Sequence, residues 1–116
     1  MLLDKPPPHI SALSWVVLDK NTKEILFGKM EKERREVASL TKLMTIFTVL
    51  NLIDGMGLEI NQTVTVDESV NDVIGTSAML QPGDNLTVHQ LLYGLMLPSG
   101  NNAAHMLALH FGKLLI

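Results

Sequence analysis

Cysteine is absent from the chain, which excludes disulfides, thiolate metal sites and a cysteine nucleophile and leaves the redox compartment unspecified. Aromatic residues make up 4%, too few for a base-stacking or sugar-binding platform. Basic residues are in no excess: the net charge is −3 at pH 7 and the pI is near 5.7, which argues against nucleic acid as a partner. No apolar run is long enough to span a membrane. The best candidate, residues 37–53, is interrupted by threonines and Lys42 and is followed by Asp54-Gly55. The amino terminus, Met1-Leu2-Leu3-Asp4-Lys5-Pro6-Pro7-Pro8, lacks the basic-then-apolar order of a signal peptide. The four histidines, His9, His89, His105 and His110, have no ligand-like spacing.

At 116 residues with 47% hydrophobic content, the chain is one domain or part of one. The stretch around which it is organised is residues 37–53. There Leu40, Leu43, Met44, Ile46, Phe47, Val49, Leu50, Leu52 and Ile53 cover most of a helix's circumference. That pattern predicts a central core helix, surrounded by protein. In its first turn stand Ser39 and, three residues on, Lys42, a spacing that puts both side chains on one face. A cation in the first turn opposes the positive end of the helix dipole, and burial opposes it further. Both effects favour the neutral amine, the form able to abstract a proton. Taken alone, Ser39 also fits an ordinary helix cap and Lys42 a lysine snorkelling to solvent.

Along the chain, Pro6-Pro7-Pro8 forces an extended entry, so residues 1–9 are expected to form a leader. Residues 14–19 and 24–29 read as an antiparallel hairpin about the Asp19-to-Lys23 turn, apolar enough to suggest cover on both faces. Residues 29–36 are a mixed charge run, expected as a solvated connection. Asp54-Gly55-Met56-Gly57 stops the core helix, and Thr63 to Val66 is a brief strand. Residues 67–79 have no clear period, and Gln81-Pro82-Gly83-Asp84 makes a turn. Thr87 with Gln90 forms a capping-box signature before a second helix, which Pro98 ends. A third helix follows, capped by Asn101 or Ser99.

The break between those helices, Pro98-Ser99-Gly100-Asn101-Asn102-Ala103, offers a hydroxyl and a carboxamide from one corner. Such a corner can relay a proton and hold a peptide-like group, although an interhelical turn has the same composition.

Jointly, Val37-Ala38-Ser39-Leu40-Thr41-Lys42-Leu43-Met44-Thr45, then Gln81-Pro82-Gly83-Asp84, then Leu97-Pro98-Ser99-Gly100-Asn101-Asn102-Ala103 resemble the low-molecular-mass penicillin-binding proteins. Within these they resemble the serine-type D-alanyl-D-alanine carboxypeptidases, relatives of the class A β-lactamases. The middle motif is Ser-Gly-Asn rather than Ser-Asp-Asn, which favours the carboxypeptidase branch, and the resemblance extends over residues 10–112. It implies a mixed α+β, β-lactamase/transpeptidase-like fold with an antiparallel hairpin and a helical region. It further implies that Ser39 is the nucleophile, that Lys42 takes its proton, and that Ser99 passes the proton to the leaving amine. Asn101 would orient the substrate amide and Lys42. The substrate class implied is a peptide ending in D-alanyl-D-alanine, with β-lactams as covalent inhibitors and no metal or cofactor. The family usually acts outside the cytoplasmic membrane.

One motif of the pattern, Lys-Thr-Gly, does not occur. Residues 10–116 are therefore expected to be the amino-terminal portion of a catalytic domain, an incomplete fold with two strands of the family's five-stranded sheet. Such a piece is expected to expose apolar surface and to be weakly stable or self-associating. Two alternatives stay open: a β-lactamase-like esterase or hydrolase on the same scaffold, and a non-catalytic remnant or binding module.

Overall fold

The computed structural model describes residues 5–116, so the first part of the expected leader, residues 1–4, lies outside the described residues. Lys5 to His9 adopt no helix or strand, as the ring-fixed φ of Pro6-Pro7-Pro8 requires. The chain divides into two compact units, one ending at Glu36 and the other spanning Val37–Ile116.

The first unit is built on the expected hairpin. Strand β1 (Trp15–Leu18) pairs antiparallel with β2 (Ile25–Lys29), Trp15 opposite Lys29 and Val17 opposite Phe27, with an irregularity between Val17 and Leu18. The turn is made by Asp19, whose carboxylate accepts the N–H groups of Asn21 at 3.0 Å and Thr22 at 2.7 Å. This local bonding is why aspartate starts such turns. The charge run is less detached than its composition suggests. Lys29 Nζ donates to the Ala12 carbonyl at 2.9 Å and Arg35 Nε to Ser14 Oγ at 2.6 Å. Within the described residues of this unit the expected cover on both faces is not supplied, and Val16, Val17, Leu18 and Ile25 are exposed. An apolar run records a capacity for burial and not which surface supplies it.

In the second unit, a 3-10 turn (Ala38–Leu40) leads into α1 (Thr41–Met56), which ends at Gly57 in the left-handed conformation. There Leu58 N donates to Ile53 O at 2.9 Å, the closure that suits glycine after a helix. Strand β3 (Thr63–Thr65) pairs antiparallel with β4 (Asn85–Thr87). The second of these was not expected from the sequence, where Thr87 reads as the cap of the helix that follows. Between them lie a 3-10 turn (Glu68–Asp72), capped by the Asp67 carboxylate on Ser69 N at 2.9 Å, and an irregular segment. Helix α2 (Val88–Met96) opens with both halves of the expected capping box, Gln90 N on Thr87 Oγ and Thr87 N on Gln90 Oε1. Helix α3 (Asn101–Leu115) completes the unit.

The core lies between α2 and α3. Val88, Leu91, Leu95 and Leu107 are fully buried, with Ala103, Met106 and Phe111 around them. Each such side chain contributes roughly 1.5–3 kcal/mol relative to exposure. The expectation that α1 is the surrounded helix is corrected here. Only its Val49 is buried, while Leu43 and Phe47 are 53% and 64% exposed and Leu40, in the turn just before it, 63%. An all-round apolar helix needs partners on every side, and within the described residues α2 and α3 pack against part of it.

Candidate active site

Three of the four residues singled out by sequence meet at one point. Ala38 takes a left-handed φ of 45°, and the tight turn that follows sets Ser39 just ahead of α1. Lys42, in the first turn of α1, reaches back so that its Nζ donates to Ser39 Oγ at 3.2 Å. Ser99, between α2 and α3, donates its hydroxyl to the same oxygen at 2.8 Å. Ser39 Oγ thus receives two donors, an arrangement that stabilises developing negative charge on an oxygen. The three side chains open into a cleft of about 300 Å³, walled by Val37, Leu43 and Met96 among others.

The site is wetter than the sequence implies. Ser39 is exposed and Lys42 half-buried, because the side of α1 bearing them is not enclosed. No acidic residue stands in the first turn of α1.

Asn101 is placed differently. Its Nδ2 donates to the Ile74 carbonyl at 2.9 Å, and no side-chain bond joins it to Ser39, Lys42 or Ser99 among the described residues. Neither Asn101 nor Ser99 caps α3, contrary to expectation. The cap position is Gly100, extended and without a side-chain bond, because Asn101 is turned to Ile74 and the Ser99 hydroxyl to Ser39. A Cβ at Gly100 would stand 2.8 Å from both Ala78 Cβ and the Gly94 carbonyl oxygen, so glycine is required by close approach.

Two residues of this corner escaped sequence reasoning. Asn102 is 5% exposed, accepts Ala78 N at 2.8 Å on Oδ1 and donates from Nδ2 to Ser77 Oγ at 3.0 Å. Its signal was weak but present, a carboxamide at a core-facing helix position. Thr76, which donates its hydroxyl to the Ser99 carbonyl, gave no signal at all. The histidines of the second unit have other contacts: His89 lies edge-on to Tyr93, His105 Nε2 is 2.9 Å from Ser69 Oγ, and His110 Nε2 is 2.8 Å from Gln62 Oε1.

This fold is shared with solved penicillin-binding proteins and a DD-transpeptidase. Penicillin binding protein 6B from Escherichia coli superposes with a TM-score of 0.81 at 36% identity, over 94% of this chain and 36% of that one. A variant of the Streptomyces K15 DD-transpeptidase superposes at 0.79 and 37% identity, over 88% and 40%. The family model for D-alanyl-D-alanine carboxypeptidase matches residues 3–112, and the chain belongs to that family. It is 42% identical over 108 residues to the D-alanyl-D-alanine carboxypeptidase DacD of Escherichia coli strain K12. That alignment takes in 88% of this chain and 28% of the relative, so the chain spans under a third of the relative's length.

Proposed function

We propose that these residues form the nucleophile half of a serine-type D-alanyl-D-alanine carboxypeptidase acting on peptidoglycan stem peptides. Ser39 attacks the carbonyl between the two D-alanines while Lys42, in its neutral form, accepts the hydroxyl proton. Ser99 delivers a proton to the departing amine, the acyl group stays on Ser39 Oγ, and water then releases it. Asn101, its carboxamide fixed by the Ile74 carbonyl, orients the substrate amide. β-Lactams enter the same way and remain as covalent inhibitors. The observation carrying this reading is the convergence of Lys42 Nζ and Ser99 Oγ on Ser39 Oγ, at 3.2 and 2.8 Å, in a chain of this family. The exposed apolar side of α1 supports self-association of the chain in isolation, which sedimentation over a concentration series would reveal.

The test is labelling by a fluorescent penicillin in the full reading frame that contains these residues. Labelling that vanishes in Ser39→Ala is expected; no labelling of the parent, or equal labelling of the variant, overturns the reading.

A further inference from the structure

Ser99 holds a φ of 57°, a left-handed conformation disfavoured for a residue with a Cβ. Such a conformation persists only where the surroundings over-determine it. What surrounds it is the irregular segment 74–78. The Thr76 hydroxyl donates to the Ser99 carbonyl, and the Thr76 carbonyl accepts Asn101 N–H at 2.8 Å. One residue thereby grips the chain on both sides of Gly100. Asn102 ties Ala78 and Ser77 to the start of α3, and Gly100 lies flush against Ala78. Thr76 itself is exposed and belongs to no helix or strand, so its hydroxyl contributes little to the core. Its bonds act on the direction in which Ser99 points.

We propose that Thr76 is a positioning residue: its hydroxyl locks the Ser99 corner so that Ser99 Oγ is held at Ser39 Oγ. This inference rests on the carboxypeptidase reading above. Without the Thr76 donor the Ser99 peptide can relax toward right-handed backbone, which turns its Cβ and withdraws the hydroxyl. The step that suffers is protonation of the leaving group. An amine leaves only with a proton, whereas a thiolate leaves without one. Loss of Thr76 must therefore penalise peptide substrates and spare thioesters of the same acyl group.

The experiment uses the full reading frame and compares a D-alanyl-D-alanine peptide with a matched thioester. Thr76→Val, which keeps the shape and removes the hydroxyl, is expected to lower peptide turnover by on the order of 10²-fold, the size of a misplacement effect. Thioester turnover is expected to fall by less than about tenfold, since it does not need the general-acid contribution. Thr76→Ser, which keeps the donor, is expected to restore the parent's peptide-to-thioester ratio. That ratio is independent of how much protein is folded, so a destabilised variant still answers the question. The inference is overturned if peptide and thioester fall together, if neither changes, or if the serine variant behaves like the valine one. A parent that neither turns over the peptide nor takes the fluorescent penicillin defeats the carboxypeptidase reading instead.

Discussion

The hydroxyl oxygens of Ser39 and Ser99 stand 2.8 Å apart, although the two residues are separated by 60 positions in the chain. A local turn and an interhelical corner, each unremarkable in composition, become one chemical site through that contact. Lys42 is the local half of it, and Ser99 the distant half.

In the proposed function Lys42, whose Nζ lies 3.2 Å from Ser39 Oγ, removes the Ser39 proton. Lys42→Ala is expected to slow acylation by a fluorescent penicillin by about 10²–10⁴-fold, the usual contribution of a general base. Lys42→Arg keeps a donor but stays protonated and so cannot accept the hydroxyl proton; it should acylate no faster than the alanine variant. Stopped-flow labelling rates decide this, and a fully active arginine variant refutes proton abstraction by residue 42.

Glycines in this chain differ in what surrounds them, and alanine substitution separates them. Gly100→Ala forces a Cβ to within 2.8 Å of Ala78 Cβ and the Gly94 carbonyl, and overpacking of that kind costs about 1–3 kcal/mol. Gly55, inside α1, has nothing within 4 Å of the added carbon, so Gly55→Ala should stabilise by up to about 1 kcal/mol. Denaturant midpoints moving in opposite directions are the expected outcome.

The capping box of α2 predicts its own deletion cost. Thr87→Ala removes the acceptor of Gln90 N and should destabilise by about 1 kcal/mol, whereas Thr87→Ser keeps the oxygen and should stay near the parent. Thermal unfolding of the two variants side by side measures the difference.

His110 introduces a pH dependence. Burial in the first place, and the Lys113 charge in the second, hold its imidazole below the ordinary value of 6.5. With Gln62 Oε1 as acceptor, the neutral ring donates from Nε2 at 2.8 Å. Because the folded value is the lower one, protonation favours the unfolded chain. This part of the stability is fully present above about pH 6.5 and is lost as pH falls from there toward the depressed folded value. Denaturation at a series of pH values should show that loss, and His110→Gln should flatten it; an unchanged profile in the variant rules His110 out.

Much of this was written locally. Ser39 and Lys42 share a face because a helical turn brings i and i+3 together, Thr87 and Gln90 declare a helix start, and Asp19 declares a turn. These features depend on residues within one turn of each other, and they stand as the residue pattern requires. The family, too, is legible in the order and spacing of the Ser39, Gln81 and Ser99 segments.

Other features depend on which surface faces which. The apolar circumference of α1 announces a need for cover but does not say that α2 and α3 supply only part of it. Asn101 looks like a cap, yet the close approach of Ala78 gives that position to Gly100 and turns the Asn101 carboxamide to Ile74. Thr76 and Asn102 hold the Ser99 corner through contacts spanning more than twenty residues. No local periodicity encodes such contacts, because they exist only once α2, α3 and the 74–78 segment have packed. The sequence alone determined that Ser39 and Lys42 stand within one turn of each other and that a helix starts after Thr87; tertiary packing decided where the second serine points, since a left-handed serine is stable only when its neighbours are already in place.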